Sequence, residues 1–216
     1  HSVNIIDNLF TYIKALVGGK DYDASQVNMA TGTGGSGRQA GSSFKTFTLV
    51  AAIEQGIDPN TMIDASATAK LPGWEVANIN HTNYGTKSIA DAFAVSSNTA
   101  FARLILSIGP DKVVDVAKRM GITSPLTATG SLTLGSESVT PLEMANAYAT
   151  IANGGTHYDP ECVERIVDRN GSIVVDNSAP KGERAISAEV AHAATEVMKG
   201  VITKGTGKAA ALSNGQ

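Results

Sequence analysis

The chain has 216 residues, enough for one sizeable domain, and 42% of them are hydrophobic and 17% charged, as is usual for soluble globular proteins. A formal net charge of −3 and the lack of any long basic run argue against nucleic acid as the main partner. The single cysteine, Cys162, excludes an internal disulfide bond, and no apolar run reaches the ~18 residues that a membrane-spanning helix needs.

The first part of the chain predicts a β-hairpin followed by a loop. Residues 3–17 are rich in β-branched and aromatic residues, and Asp7–Asn8 divides them into two short strands. Residues 20–41 are polar and glycine-rich, which favours a loop. Residues 57–87 are rich in turn-forming residues and contain the only tryptophan, Trp74.

Most of the remaining chain predicts helices with recognisable ends. Thr140, Pro141 and Glu143 form the clearest start, because they supply a cap, a proline in the first turn and a capping-box partner. Asn98 is a suitable N-cap for the helix that follows it. Six helices are expected, over residues 42–55, from Ser88 onward, and over 99–108, 111–119, 140–153 and 187–202. A hairpin over residues 163–176 is expected to turn at Asn170–Gly171.

The glycines between residues 32 and 37 match a phosphate-binding pattern. Gly32, Gly34 and Gly37 spell G-x-G-x-x-G. This motif works only when a strand precedes it and a helix begins inside it, so that the helix N-terminus meets the phosphates. The residues before Gly32 make a poor strand, and the next helix begins only after Gly41. A glycine-rich loop is therefore the preferred interpretation.

Ser42 and Lys45 form a second pattern, S-x-x-K, at the start of the predicted helix 42–55. A serine hydroxyl needs a base and a site that stabilises an oxyanion, and a helix N-terminus favours negative charge. A lysine acts as a base only when it is neutral, and burial on this apolar helix would lower its pKa. The alternative is that Ser42 only caps the helix and Lys45 extends into solvent.

Ser96 and Asn98 lie in the helix-poor segment 95-VSSNT-99. In an extended link, side chains two residues apart point the same way, so this segment is expected to present a hydroxyl and a carboxamide to one cleft. The alternative is a turn between two helices with Asn98 as the cap, and Asn98 could serve in both ways.

The two motifs, about 50 residues apart, occur in an order that resembles the serine–lysine acyltransferases. The surrounding segments resemble the transpeptidase domain of penicillin-binding proteins. They are 41-GSSFKTFTLVAAIEQGID-58, 72-PGWEVAN-78, 95-VSSNTAFARL-104 and 132-LTLGSESVTPLEMANAYATIANGG-155. The last one is similar to the bifunctional, class A type. The resemblance implies an α+β fold like that of serine β-lactamases, with a helical subdomain and an antiparallel sheet.

The resemblance also implies a role for each motif residue. Ser42 would attack the D-Ala-D-Ala carbonyl of a peptidoglycan stem peptide, with Lys45 as its base. Ser96 would relay the proton to the leaving D-Ala, and Asn98 would bind the substrate amide and hold Lys45. An amine of a neighbouring stem would then form the cross-link, and β-lactams would acylate Ser42. No cofactor, metal ion or nucleic acid is expected.

One departure from the family is the missing K-T-G motif. Lys204–Gly207 spells K-G-T-G and follows a predicted helix, whereas the K-T-G of the family lies on a strand. We therefore expect residues 1–216 to form a transpeptidase domain that lacks its C-terminal K-T-G strand region, so that the sheet is incomplete. By resemblance, a membrane anchor and a glycosyltransferase domain lie outside this chain, and the domain works on the extracytoplasmic face of the bacterial cell membrane.

Two other functions remain open at this point. One is a D,D-carboxypeptidase or β-lactamase, with water as the acceptor, against which the class A-like segment argues. The other is a penicillin-binding sensor or scaffold that is acylated without turnover. Among single residues, Trp74 is read as lining the cleft or anchoring its loop on the core, and Glu143 as a helix cap rather than a base.

Overall fold

The computed structural model of the chain describes residues 3–6, 12–35 and 37–213, with the backbone alone for residues 3–6. The helices in this part are α1 Lys45–Glu54, α2 Ile89–Ala94, α3 Asn98–Ile108, α4 Pro110–Arg119, α5 Pro141–Ala152 and α6 Ala188–Thr203. Each of the six predicted helices is present within three residues of its expected bounds. None of the helices in the described residues is long and apolar enough to cross a membrane.

The strands are short and pair two by two. They are β1 Val3–Ile6, β2 Ile13–Val17, β3 Arg38–Gln39, β4 Met62–Asp64, β5 Thr68–Leu71, β6 Trp74–Ala77, β7 Thr86–Ser88, β8 Ser138–Val139, β9 Thr156–His157, β10 Arg165–Val167, β11 Ile173–Asp176 and β12 Glu183–Arg184. The antiparallel pairs are β1–β2, β3–β8, β4–β7, β5–β6, β9–β12 and β10–β11. The predicted α+β class with antiparallel sheets is therefore confirmed.

The two predicted hairpins are confirmed as strand pairs. Val3 pairs with Val17 in the first, while its expected break at Asp7–Asn8 lies outside the described residues. The second turns at Asn170–Gly171, where Gly171 has a φ of 83°. The turn-rich segment that begins at residue 57 also contains four short strands, β4 to β7, which the sequence does not predict. Each has only three or four residues; β5 and β6 pair across the two-residue turn Pro72–Gly73, whereas β4 finds its partner β7 more than 20 residues later through the tertiary fold.

The described residues divide into two compact units. The first contains the residues up to Gln39 together with Ala117–Pro125 and Ser138–Ala188. The second contains Ala40–Val116, Leu126–Glu137 and the residues from Glu189 onward. All residues of the two acyl-transfer motifs belong to the second unit.

The second unit is built around α1. Residues 45–52 of this helix are all buried, and α1 packs against α3 and the 3₁₀ turn Gly130–Leu134. Fully buried apolar side chains of this size each contribute about 1.5–3 kcal/mol. They include Phe44, Phe47, Leu49, Phe101, Ile105 and Leu132. The apolar helix predicted from the sequence is thus a core helix, which forces any polar side chain on it into the interior.

Helices α1, α4 and α5 end in the same hydrogen-bonded closure at a glycine. After α1, the N–H of Gly56 bonds to the carbonyl of Ile53, and that of Ile57 bonds to Ala52. The equivalent bonds are present after α4 and α5. This is the Schellman motif, and a left-handed residue follows the helix in each case: Gly56 (φ 79°), Gly121 (φ 105°) and Gly154 (φ 64°). The helix ends predicted at these glycines are confirmed.

The predicted capping box of α5 is also present. Thr140 Oγ1 accepts from the Glu143 N–H at 3.1 Å, and Glu143 Oε2 accepts from the Thr140 N–H at 2.7 Å. Glu143 Oε1 accepts further bonds from the N–H groups of Thr123 and Ser124. Burial raises the pKa of Glu143, but these hydrogen bonds outweigh it and lower the pKa to about 2. Glu143 is therefore a helix cap, as the sequence indicated.

Candidate active site

Ser42 is presented at the start of α1. It is exposed and lies second in the 3₁₀ turn Gly41–Phe44, which leads directly into α1. Its backbone N–H therefore has no acceptor inside the turn and remains available to a ligand. The neighbouring Ser43 is committed elsewhere, because its hydroxyl donates to the Ala40 carbonyl at 2.7 Å. The hydroxyl that contacts Lys45 is therefore that of Ser42, three residues before the lysine, and not that of Ser43, two residues before it.

Lys45 is the buried charge of the site. Its side chain extends from the first turn of α1, and the residue is 1% exposed. Burial lowers the pKa of Lys45 to about 8, since the charged form loses its hydration. The alternative in which Lys45 extends into solvent is therefore wrong. With a pKa of about 8, about a tenth of the Lys45 amines are neutral at pH 7 and carry a free lone pair.

Four oxygen atoms surround the Lys45 amine. Nζ lies 3.1 Å from Ser42 Oγ, 3.0 Å from Ser96 Oγ, 2.7 Å from the Ser96 carbonyl oxygen and 2.8 Å from Asn98 Oδ1. The last two can only accept, so they take two N–H groups of the amine. A neutral amine then has its lone pair left for one of the two hydroxyls. The structure brings the four predicted site residues together around one nitrogen.

Ser96 has a strained backbone at the end of α2. The Ser96 N–H bonds to Phe93 and the Ser97 N–H to Ala92, so α2 closes with a Schellman motif as α1, α4 and α5 do. The position taken by glycine in those helices is here Ser96, with a φ of 57°. The predicted extended link is therefore wrong: a left-handed turn directs the Ser96 hydroxyl and carbonyl to the same amine. Strain of this kind occurs often at functional sites.

Asn98 is the first residue of α3 and not its cap. Ser97 is the cap, because its side chain accepts from the Ala100 N–H. This corrects the prediction that Asn98 caps the helix. The Asn98 Nδ2 donates to the Ala77 carbonyl at 3.0 Å, which fixes the amide orientation and leaves Oδ1 to Lys45. The Asn98 side chain therefore does not cap the helix, and its Oδ1 is available to Lys45.

Two residues near the site are clarified by the structure. Trp74 is half-buried and packs with Leu71 and Leu134 against the buried residues Ala69, Val76 and Ala102, which supports its interpretation as a core anchor. Asn78 was missed by the sequence reasoning. It is 3% exposed and bonds to the segment that holds Asn98. A lone asparagine after a strand has no spacing signal, so nothing in the sequence alone singled it out.

The other sequence patterns contribute no side chain to this cluster. Gly32 and Gly34 lie in turns, and the described residues 18–35 contain no strand to precede a phosphate cradle. Lys204 of the K-G-T-G segment lies beyond α6 and pairs with Asp91 at 2.5 Å. Within the described residues, no group of three or more His, Cys, Asp or Glu side chains is placed to hold a metal ion.

The sequence matches the profile of one protein family. The family is described as the penicillin binding protein transpeptidase domain, and the match covers residues 2–216. The chain is 33% identical to Penicillin-binding protein 1A of Aquifex aeolicus over 205 residues, which are 93% of this chain and 28% of that protein. It is 37% identical to Penicillin-binding protein 2D of Bacillus subtilis over 172 residues, or 76% of this chain and 24% of that protein. The chain thus spans about a quarter of these relatives.

Solved structures show the same similarity. The penicillin-binding protein PonA1 of Mycobacterium tuberculosis, in complex with penicillin V, superposes with a TM-score of 0.83 at 32% identity, covering 93% of this chain and 55% of that one. A D,D-transpeptidase domain of a peptidoglycan glycosyltransferase from Eggerthella lenta superposes with a TM-score of 0.84 at 25% identity, covering 98% and 63%.

Proposed function

Because this chain belongs to the penicillin-binding protein transpeptidase family and resembles its class A members, we propose that it is a D,D-transpeptidase that cross-links peptidoglycan stem peptides through an acyl-enzyme on Ser42. The observation that carries the proposal is the buried Lys45 amine, 3.1 Å from the exposed Ser42 hydroxyl and with its pKa lowered to about 8. This pairing supplies a base for a nucleophile that is otherwise weak near neutral pH.

Acylation begins with a proton transfer. Neutral Lys45 accepts the Ser42 proton, and Oγ bonds to the carbonyl carbon of the penultimate D-Ala while the carbonyl π electrons move onto oxygen. The Ser42 N–H, at the open start of the 3₁₀ turn, is placed to stabilise that oxyanion. The Ser96 hydroxyl, 3.0 Å from Lys45 Nζ, then relays the proton to the leaving nitrogen as the C–N bond breaks. Asn98 holds the lysine through Oδ1.

The second half-reaction replaces D-Ala with an amine from a neighbouring stem peptide. The amine attacks the carbonyl carbon of the Ser42 ester and gives up a proton, through the Ser96 hydroxyl, to neutral Lys45. The C–Oγ bond then breaks, and Lys45 returns this proton to Oγ, so that Ser42 leaves as its hydroxyl. No step needs a metal ion or cofactor. β-Lactams enter at the same serine, because their strained amide resembles D-Ala-D-Ala; the penicillin V complex of the similar PonA1 supports this part.

The proposed substrate also indicates on which side of the membrane the domain works. Peptidoglycan stem peptides are joined outside the cytoplasmic membrane, so we place the domain on the extracytoplasmic face, held by an anchor and accompanied by a glycosyltransferase domain outside this chain. The class A relatives, about four times longer than the matched segment, are consistent with additional domains.

Intact-protein mass spectrometry with a fluorescent penicillin tests the acyl-enzyme. We expect one covalent adduct per molecule, located on Ser42, and no adduct on Ser42→Ala. The neighbouring variant Ser43→Ala is the matched control and should be labelled normally, since the Ser43 hydroxyl bonds to Ala40 and not to Lys45. An adduct on the Ser42→Ala protein would show that the nucleophile is misassigned.

Release of D-Ala from a stem-peptide mimic separates the competing functions. Continuous release that depends on an added amine, with formation of the cross-linked product, supports the transpeptidase. Release that is indifferent to the amine indicates a carboxypeptidase. A single stoichiometric burst indicates a sensor or scaffold that is acylated without turnover.

A further inference from the structure

Asn78 connects two loops beside the Lys45 site through its side-chain carboxamide. It directly follows β6 and is 3% exposed. Its Nδ2 is within hydrogen-bond distance of three backbone carbonyl oxygens, those of Ala65 (3.1 Å), Ser66 (3.1 Å) and Thr82 (3.0 Å). Through its Nδ2, Asn78 thus connects the loop that follows β6 to the segment between β4 and β5.

The opposite end of the carboxamide holds the start of α3. Asn78 Oδ1 accepts from the Asn98 N–H at 2.8 Å, the Ser97 hydroxyl at 3.0 Å and the Thr99 N–H at 3.2 Å. Asn98 is therefore fixed at two points, by this bond to its backbone and by its Nδ2 bond to Ala77. With the backbone and Nδ2 both held, Oδ1 faces Lys45 and accepts from its amine at 2.8 Å.

Backbone strain is confined to the same region. Asn80 (φ 56°), His81 (φ 51°) and Ser96 (φ 57°) are the non-glycine residues with positive φ in the described part of the chain. The first two lie between Asn78 and Thr82, and that turn is closed by the Asn78 side chain and by the His81 N–H bond to the Asn78 carbonyl. Ser96 lies directly before the segment that Asn78 Oδ1 holds. Unfavourable conformations of this kind persist only where surrounding bonds enforce them.

We propose that Asn78 is a positioning residue for acyl transfer, which sets the place of Asn98 and of the Ser96 turn around the Lys45 amine. A carboxamide suits this task because one end donates and the other accepts. Aspartate would keep the acceptors but present a carboxylate to three carbonyl oxygens, and alanine would lose both sets of bonds. The inference rests on the proposed function, since it concerns the geometry of the same reaction.

The test compares Asn78→Ala and Asn78→Asp with the wild-type protein and with Asn146→Ala. Asn146 is a matched control because it is also a buried asparagine, 2% exposed, but lies in the other compact unit. We expect the penicillin acylation rate per folded molecule to fall about 10–100-fold in the Asn78 variants, since small displacements of reacting groups carry that cost. The pH midpoint of acylation should move downward as Lys45 loses the Asn98 acceptor. Asn146→Ala should change neither quantity.

Amide hydrogen exchange gives a readout that does not depend on activity. Exchange at residues 97–99 should rise in the Asn78 variants relative to the middle of α3, and in the wild type these amides should be as protected as that helix. Exposed amides at Asn98 and Thr99 in the wild type overturn the inference even if no variant folds. Wild-type acylation rates in both Asn78 variants overturn it while the proposed function stands. A wild-type protein that is never acylated at Ser42 overturns both.

Discussion

Lys45 must be neutral before it can take the Ser42 proton, so the pH dependence of acylation reports its ionisation. Burial lowers the pKa of Lys45 to about 8. Below that pH the neutral fraction, and with it the acylation rate, should rise about tenfold per pH unit and level off above about pH 8. The measurement is the second-order rate constant for penicillin acylation between pH 6 and 9, and a flat profile would exclude Lys45 as the base.

Arginine in place of Lys45 separates base catalysis from simple positive charge. Arg does not deprotonate in this pH range, so Lys45→Arg should lose at least about 10²-fold in acylation and should lose the pH limb as well. Near-normal acylation by this variant would mean that the charge of Lys45, and not its lone pair, is what the site uses.

The left-handed turn at Ser96 costs stability. A non-glycine residue in this conformation is less favourable by about 1–2 kcal/mol, whereas glycine adopts it readily. Ser96→Gly and Ser96→Ala both remove the hydroxyl and should slow acylation alike, but Ser96→Gly should be more stable than Ser96→Ala by about 1 kcal/mol in urea unfolding. Equal stabilities would mean that the φ of 57° is not maintained in solution.

At the scale of elements, the start of α5 depends on an ionised Glu143. Burial raises the pKa of Glu143, but the hydrogen bonds from Thr140, Thr123 and Ser124 lower it to about 2 overall. Because the pKa is depressed in the folded state, the stabilisation is present above the unfolded pKa of about 4.3 and is lost as the pH falls towards 2.

Glu143→Gln should reveal this contribution. We expect it to lower the free energy of unfolding by about 1–2 kcal/mol at pH 7, since the amide NH₂ cannot accept the bonds that the carboxylate accepted. The difference from the wild type should shrink between about pH 4 and pH 2. Glu75→Gln, on an exposed position of β6, is the control and should leave the free energy of unfolding at pH 7 nearly unchanged.

The segment that follows α6 packs against the end of α2, next to Ser96. The Thr206 N–H donates to the Ala94 carbonyl at 3.1 Å, and a Cβ on Gly205 would lie 2.1 Å from that oxygen. Gly205→Ala should therefore displace the end of α2, lower stability by about 1–3 kcal/mol and slow acylation. Gly200→Ala, inside α6, meets the Ala94 Cβ at 3.6 Å, an ordinary contact, and should stabilise by about 0.5–1 kcal/mol. Equal effects of the two substitutions in thermal unfolding would contradict this assignment.

At the scale of the whole molecule, the described residues bring Ser42, Lys45, Ser96 and Asn98 together but contain no K-T-G strand, and K-T-G does not occur in the sequence. We propose that residues 1–216 belong to one transpeptidase domain and that a K-T-G strand from outside them completes the cleft. Penicillin labelling of Ser42 should then be faster in a protein that extends past Gln216 than in these residues alone. Equal rates would mean that the four residues suffice for acylation.

Local sequence by itself determined much of this protein. Helix ends such as Thr140–Glu143 and Gly154 were predictable, because caps and left-handed glycines act within a few residues of the chain. The S-x-x-K pair was predictable for the same reason, since three residues on one helix turn place both side chains together. The hairpin at Pro72–Gly73 carried a turn signal, and the strands on either side of it were still missed.

Only the tertiary structure decided the remainder. The strand β4 finds its partner β7 more than 20 residues later, and the short strands have no propensity strong enough to reveal this pairing. The left-handed Ser96 and the role of Ser97 rather than Asn98 as the cap follow from the packing of α2, α3 and the Asn78 loop. The burial of Lys45, on which its proposed role as a base depends, is set by distant segments, because Ser96 and Asn98 surround its amine and α3 packs on α1. Spacing along a chain places neighbours on a helix, but burial and a shifted pKa are set by segments that meet only in the folded molecule.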